Sequence, residues 1–172
     1  MSDPIAADPA YRVFVSYIDK SREFYHAQGF EQPYRWAHNQ ESPFTRPSRP
    51  LAESRVGLVT TALALDLPDD VDPESLPIES TYAAPADPPP ARLFTMNRSW
   101  DKEATHTRDL DSFFPIHHLA ELVEAGRIGS VSPRFYGIPT EYSQRLTREV
   151  DAPQLLDLML EDGVDVAMLV PL

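Results

Sequence analysis

The sequence predicts an α/β fold: an open, mainly parallel sheet with flanking helices. Two apolar runs and the helical patterns between them carry this expectation. Residues 55–64, RVGLVTTALA, and residues 164–170, VDVAMLV, are apolar on both faces, as strands buried on both sides of a parallel sheet are. Helical patterns at 115–125 and 154–161 lie between them, in the alternating order that right-handed crossovers require. With 172 residues the chain is expected to form one domain with a sizeable core.

The elements follow in order. Residues 1–9 read as a frayed tail. From Tyr11, the positions Phe14, Val15, Ile18, Phe24 and Tyr25 recur near helical spacing up to Gly29, a residue suited to ending a helix. Residues 30–50 contain Pro33, Pro43, Pro47 and Pro50, which exclude a long regular element. This stretch reads as an arm anchored by Tyr34, Trp36 and Phe44, with His38 inside it. The strand at 55–64 ends in Thr60-Thr61. Open α/β sheets bind ligands beyond the carboxyl ends of their strands, so these two hydroxyls are candidate site residues. They are equally suited to finishing a strand as β-branched residues. Residues 65–90 are acidic and proline-rich and read as a solvated irregular loop. Residues 92–96 are a candidate second strand.

The helix at 115–125 begins with a proline, favoured in a first turn. Its apolar stripe is Ile116, Leu119, Ala120 and Val123, and Gly126 ends it. Asp109 and Asp111 precede it, where negative charge is stabilised by the helix dipole. They serve either as caps or as site residues. The run 128–131 reads as a short strand, and residues 140–150 as polar surface. Asp151-Ala-Pro-Gln154 reads as a helix start with a capping-box-like glutamine. The leucine-rich helix after it is expected to be well buried, and Gly163 breaks it.

Charge and composition exclude several functions. With 27 acidic against 15 basic residues, the formal net charge is −12. That argues against nucleic-acid backbones and anionic membranes as partners. No apolar run approaches the length of a membrane span, and the first residues do not form a basic-then-apolar leader. A cytoplasmic setting is expected. The cysteine count is zero, so a disulfide, a thiolate metal site and a cysteine nucleophile are all excluded from these residues. The glycines are scattered, without the fingerprint of a dinucleotide site, and no nucleophile elbow is present.

One stretch, residues 100–137, gathers most of the groups able to do chemistry. It holds His106 after Thr105, then Asp109 and Asp111, then Phe114-Pro115 and the leucine-rich helix. Gly126-Arg-Ile-Gly129 leads on to Pro133-Arg-Phe-Tyr136. Trp36-Ala-His38 with Pro43-Phe44, and Ser54-Arg-Val-Gly-Leu-Val-Thr-Thr61, lie upstream in a consistent order. In these motifs, from about Ile18 to the last residue, the chain resembles the glycine/sarcosine/betaine/D-proline reductase selenoprotein B family. Ala62-Leu-Ala64 departs from the glycine-containing turn of that family.

The resemblance implies reductive cleavage of a C–N bond in a small amino acid or amine. Electrons would come from a thioredoxin-like donor, with other reductase subunits as partners. It implies catalytic roles for His106 and Asp109, and substrate binding by Thr60, Thr61 and Asp111. His106 would donate a proton to the leaving nitrogen, a role suited to histidine near neutral pH. It also implies a selenocysteine or cysteine directly after Leu172, with a cysteine a few residues on. On that expectation the 172-residue chain is catalytically incomplete and stops at an in-frame UGA. Two other readings fit the same residues. One is a non-catalytic small-molecule-binding or scaffold subunit. The other is a metal-dependent hydrolase using His106, Asp109, Asp111 and His117 or His118, whose spacing matches no ligand signature.

Overall fold

The computed structural model describes residues 17–32, 37, 39–41, 45–64, 80–95, 107–138 and 143–172. The chain divides into two compact units, Met1–His38 and Asn39–Leu172. In the first, α1 spans Tyr17–Ala27. Gly29 follows at φ +90, the left-handed conformation that stops a helix at no steric cost to glycine. Phe24, Tyr25 and Phe30 meet edge to face, with ring centroids 5.4 and 6.0 Å apart along that order. The anchors Tyr34, Trp36 and Phe44, and His38, lie outside the described residues.

The second unit is a mixed, open five-stranded sheet with flanking helices. Its centre is β1, Arg55–Thr60, with Val56 to Thr60 all buried. On one side β1 pairs in parallel with β3 (Ser130–Val131) at its start and β4 (Arg134–Gly137) at its end. On the other side β5, Val166–Val170, pairs with it in parallel from Val56↔Val166 to Thr60↔Val170. The two apolar runs are therefore adjacent parallel strands of one sheet. β2, Tyr82–Pro85, lies antiparallel to β4. It is a strand in a stretch read from composition as irregular loop. Tyr82, Ala83 and Ala84 are compatible with a sheet edge, and Pro85 is tolerated there because an edge position does not demand its missing N–H. By contrast, of the expected strand at 92–96, the described residues 92–95 contribute one isolated bridge, Leu63↔Phe94.

The larger core cluster lies on one face of the sheet. Val56, Leu58, Phe114, Ile116, Leu119, Ile128 and Phe135 belong to it. α2, Ile116–Glu124, packs there through Ile116, Leu119 and Val123; Ala120, expected in the stripe, is exposed. The other face carries Val59, Tyr136 and Leu155.

α4, Ala152–Glu161, covers that second face, but its start differs from the sequence reading. Asp151 has helical dihedrals and makes no side-chain cap. The helical run begins earlier, at α3, Gln144–Leu146, where Ser143 accepts a hydrogen bond from the Leu146 N–H at 3.3 Å. A π turn, Thr147–Asp151, joins α3 to α4. Widening the turn just ahead of Pro153 accommodates a ring that lacks an N–H and would clash with the carbonyl four residues back. The cap-like motif at 151–154 thus marks a bulge inside a longer helical run.

Two burial expectations fail in an informative way. Leu155 is buried, but Leu156 and Leu160 are 53% and 63% exposed, and Leu169 on β5 is 70% exposed. Apolar composition reports what an element can bury. The neighbours that would bury it are a property of the sheet, and among the described residues β5 has β1 alone as a partner. Leu58→Ala, in the buried centre, is expected to cost about 2–5 kcal/mol. Leu169→Ser should stay within about 0.5 kcal/mol of the parent. Urea unfolding of the two variants checks this, and comparable losses would show that β5 is covered.

Candidate functional site

Because β1, β4 and β5 are parallel, their carboxyl ends share one edge. Thr60 lies opposite Gly137 on one side and Val170 on the other. The Ile138 N–H donates to the Thr60 carbonyl at 3.0 Å, continuing the ladder past β4. Tyr82, opposite Gly137, brings the start of β2 to the same edge.

The polar groups of this edge hold its corner. The buried Thr60 Oγ1 accepts from the Ala62 N–H at 3.1 Å. Thr61 Oγ1 accepts from the Leu172 N–H at 2.9 Å and donates to the Leu172 carbonyl at 3.0 Å. Tyr82 Oη donates to the Ala62 carbonyl at 2.5 Å and accepts from the Ala64 N–H at 3.2 Å. The Leu63 N–H donates to Phe94 O at 2.8 Å. All three N–H groups after Thr61 are therefore bonded within the chain. The Ala62–Ala64 turn is a tied corner and not a cradle of amides for an anion.

Asp109 and Asp111 sit before α2. A short turn joins α2 to β3, and β3 pairs with the first residues of β1. The helix therefore returns along the sheet toward the amino edge, with its own amino end toward the carboxyl edge. Leu110 and Phe114 share the core cluster with Ala62, just past β1. Asp109 is exposed and stands at the cap position of the 3₁₀ turn Leu110–Ser112 without a side-chain cap bond. Its carbonyl accepts from Ser112 Oγ at 2.7 Å. Asp111 caps α2, accepting from the His117 N–H at 3.1 Å, and its other oxygen meets His117 Nδ1 at 2.6 Å. Of the expected site residues, Thr60 and Thr61 therefore meet at one corner. Asp111 engages His117, and His106 lies outside the described residues.

From sequence alone, His117 stands out only as a candidate metal ligand. The signal for its pairing is Asp111, six positions upstream across the proline at the helix start. Among the described residues, no three His, Asp or Glu side chains gather as a metal site.

A second polar network lies off this edge, between β4 and the end of α4. Tyr136 Oη donates to Asp162 Oδ2 at 2.6 Å and accepts from Ser132 Oγ at 2.8 Å. Arg134 Nε donates to the same Asp162 oxygen at 2.8 Å, and its Nη2 reaches Glu161 at 3.2 Å. Burial, together with the bond to Asp162, pushes the Tyr136 phenol up to about 12. Burial would raise the Asp162 carboxyl. The bonds from Arg134 and Tyr136 and the charges of Arg134 and Arg55 outweigh it and hold the group below the ordinary carboxylate value. The arrangement keeps tyrosine neutral and aspartate ionised, as a structural clasp requires.

No protein-family model, curated protein or solved structure matches this chain. Among the described residues, no helix is long and apolar enough to cross a membrane.

Proposed function

We propose that this chain is a subunit of a selenoprotein B-type reductase. It would reductively cleave a C–N bond of a small amino acid or amine, in an open, mainly parallel α/β frame. A thioredoxin-like donor would supply electrons, and other reductase subunits would complete the assembly. A cytoplasmic setting suits such a thiol-fed reaction. One observation carries the reading beyond motif resemblance. Thr60 pairs with Val170, and Thr61 holds the backbone of Leu172 at both its N–H and its carbonyl. The resemblance puts a selenocysteine or cysteine directly after that residue, beside the Thr60–Thr61 corner. Ligands gather at this edge in open sheets.

A selenolate or thiolate there supplies the redox chemistry. Thr60 and Thr61 fix the backbone that presents it. His106 donates a proton to the leaving nitrogen, and Asp109, exposed at the approach to α2, orients that histidine or holds a substrate ammonium.

Two experiments test this. The codon after 172 should be an in-frame UGA followed by an open frame, or a cysteine codon; any other codon removes the redox residue from the proposed place. NMR titration of the chain with glycine, sarcosine, betaine and D-proline should reveal binding of one of them. Thr61→Val releases the Leu172 backbone from both of its hydrogen bonds and should weaken it roughly fivefold, a loss of about 1 kcal/mol. An unchanged affinity would remove Thr61 from the site.

A further inference from the structure

We infer that Asp111 and His117 form a carboxylate–imidazole dyad at the amino end of α2, with His117 Nε2 as a solvent-facing proton-transfer atom and Asp111 as its positioning residue. Its role toward substrate rests on the proposed reductase reading; its geometry does not. Pro115, at the cap position, has no side-chain group to bond the first turn of α2. Asp111 supplies that bond from the preceding 3₁₀ turn, with one oxygen on the His117 N–H at 3.1 Å. The second oxygen lies 2.6 Å from Nδ1 of the same residue. An ionised carboxylate only accepts hydrogen bonds, so Nδ1 carries the proton.

Two bonds from one carboxylate to the backbone and ring of a single histidine fix both the ring's orientation and its tautomer. The same division of labour lets a buried aspartate hold the base in hydrolytic triads. Nε2 is then the atom that exchanges protons. It has no partner among the described residues, and the His117 side chain is 55% exposed while Asp111 is 25% exposed. Capping alone would engage one oxygen with the backbone and leave the ring out. His118, the next residue, instead meets Glu121 at 3.2 Å on the exposed helix surface, an ordinary i,i+3 pair. In a proton transfer the ring passes between neutral and imidazolium forms at Nε2, while the Nδ1–H stays on Asp111.

Long-range ¹H–¹⁵N spectra at about pH 8.5, well above the ordinary histidine value of about 6.5, report the tautomer directly. His117 is expected to be protonated at Nδ1 alone. Asp111→Asn should convert it to a tautomer mixture, and Asp111→Glu should restore part of the preference. A His117 ring protonated at Nε2, or one unmoved by Asp111→Asn, overturns the dyad. The same spectra are then followed during titration with glycine, sarcosine, betaine and D-proline. Displacement of the His117 signals by the one that binds supports the proton-transfer role. Binding that moves other resonances but leaves His117 still overturns that role and leaves the reductase reading intact. If none of the four moves any resonance, the reductase reading falls, and the dyad's substrate role falls with it.

Discussion

Gly137→Ala is expected to cost about 3 kcal/mol, the upper end for forcing atoms into a packed site. A Cβ at Gly137 would come within 2.6 Å of the Tyr82 hydroxyl oxygen and closer still to two carbons of its ring. The ring cannot swing aside without loss. It packs edge to face on Phe135 at 6.3 Å between centroids, and its hydroxyl ties Ala62 and Ala64. A cost of this size lowers the melting temperature by roughly 6–12 °C in a protein of this length. Tyr82→Leu alone should also destabilise, through the lost bonds to the corner. Combined with Gly137→Ala it should cost clearly less than the sum, because the shorter side chain removes the clash. Thermal unfolding of the four proteins of this cycle checks the expectation. Strict additivity would mean that the tyrosine ring does not lie over Gly137. The cycle also bears on the site, since Tyr82 holds the turn that follows Thr60 and Thr61.

Much of this frame was legible because it depends on local chemistry. The helix at 116–124 has its stop at Gly126, whose φ is +65. The two apolar runs separated by helices were legible as strands of one parallel sheet, and they pair side by side as β1 and β5. Gly129 was legible only as part of a motif. Its physical reason is an approach so close that a Cβ would stand 2.7 Å from the Glu53 backbone carbon and 2.9 Å from Ser54 N and O. What stayed hidden depends on partners far away in sequence. Proline and acidic residues masked β2, whose partner β4 lies some 50 residues on. The capping signal at Asp151 is not used, because the helical run already begins after Ser143 and carries Asp151 inside it. Leucine-rich α4 and the apolar β5 announced an ability to bury surface, without saying which of their faces would have a neighbour. The position of Thr60 and Thr61 at the carboxyl end of β1 was legible from the strand rule. The pairing of Asp111 with His117 needed the turn between them.

Asp162→Asn is expected to cost about 2 kcal/mol near neutral pH and progressively less in acid. One carboxylate oxygen accepts from both Arg134 and the buried Tyr136, and the Arg55 guanidinium bonds the Asp162 carbonyl. Hydrogen bonds to a charged group contribute about 1.5–3 kcal/mol each. Arg134 is about one-third exposed, so solvent discounts its share. Burial opposes the charge on Asp162, but the two donors and the neighbouring guanidinium charges win, so the folded group ionises at lower pH than the unfolded one. A depressed carboxyl contributes stability that is complete above the unfolded value of about 3.9 and is lost as pH falls through the lower folded value. The gap between parent and Asp162→Asn in urea midpoint should therefore be constant from about pH 7 to 5 and close below about pH 4. The other carboxylates titrate in both proteins and drop out of the difference. At the alkaline end the sign is that of a raised group. Tyr136, pushed up to about 12, contributes stability that is complete below about pH 10 and lost as pH rises toward its folded value. Tyr136→Phe should abolish that alkaline loss while leaving most of the acid one, because Arg134 still holds Asp162. A gap that stays constant down to pH 3 would show that the clasp works through shape alone, with its charge contributing nothing.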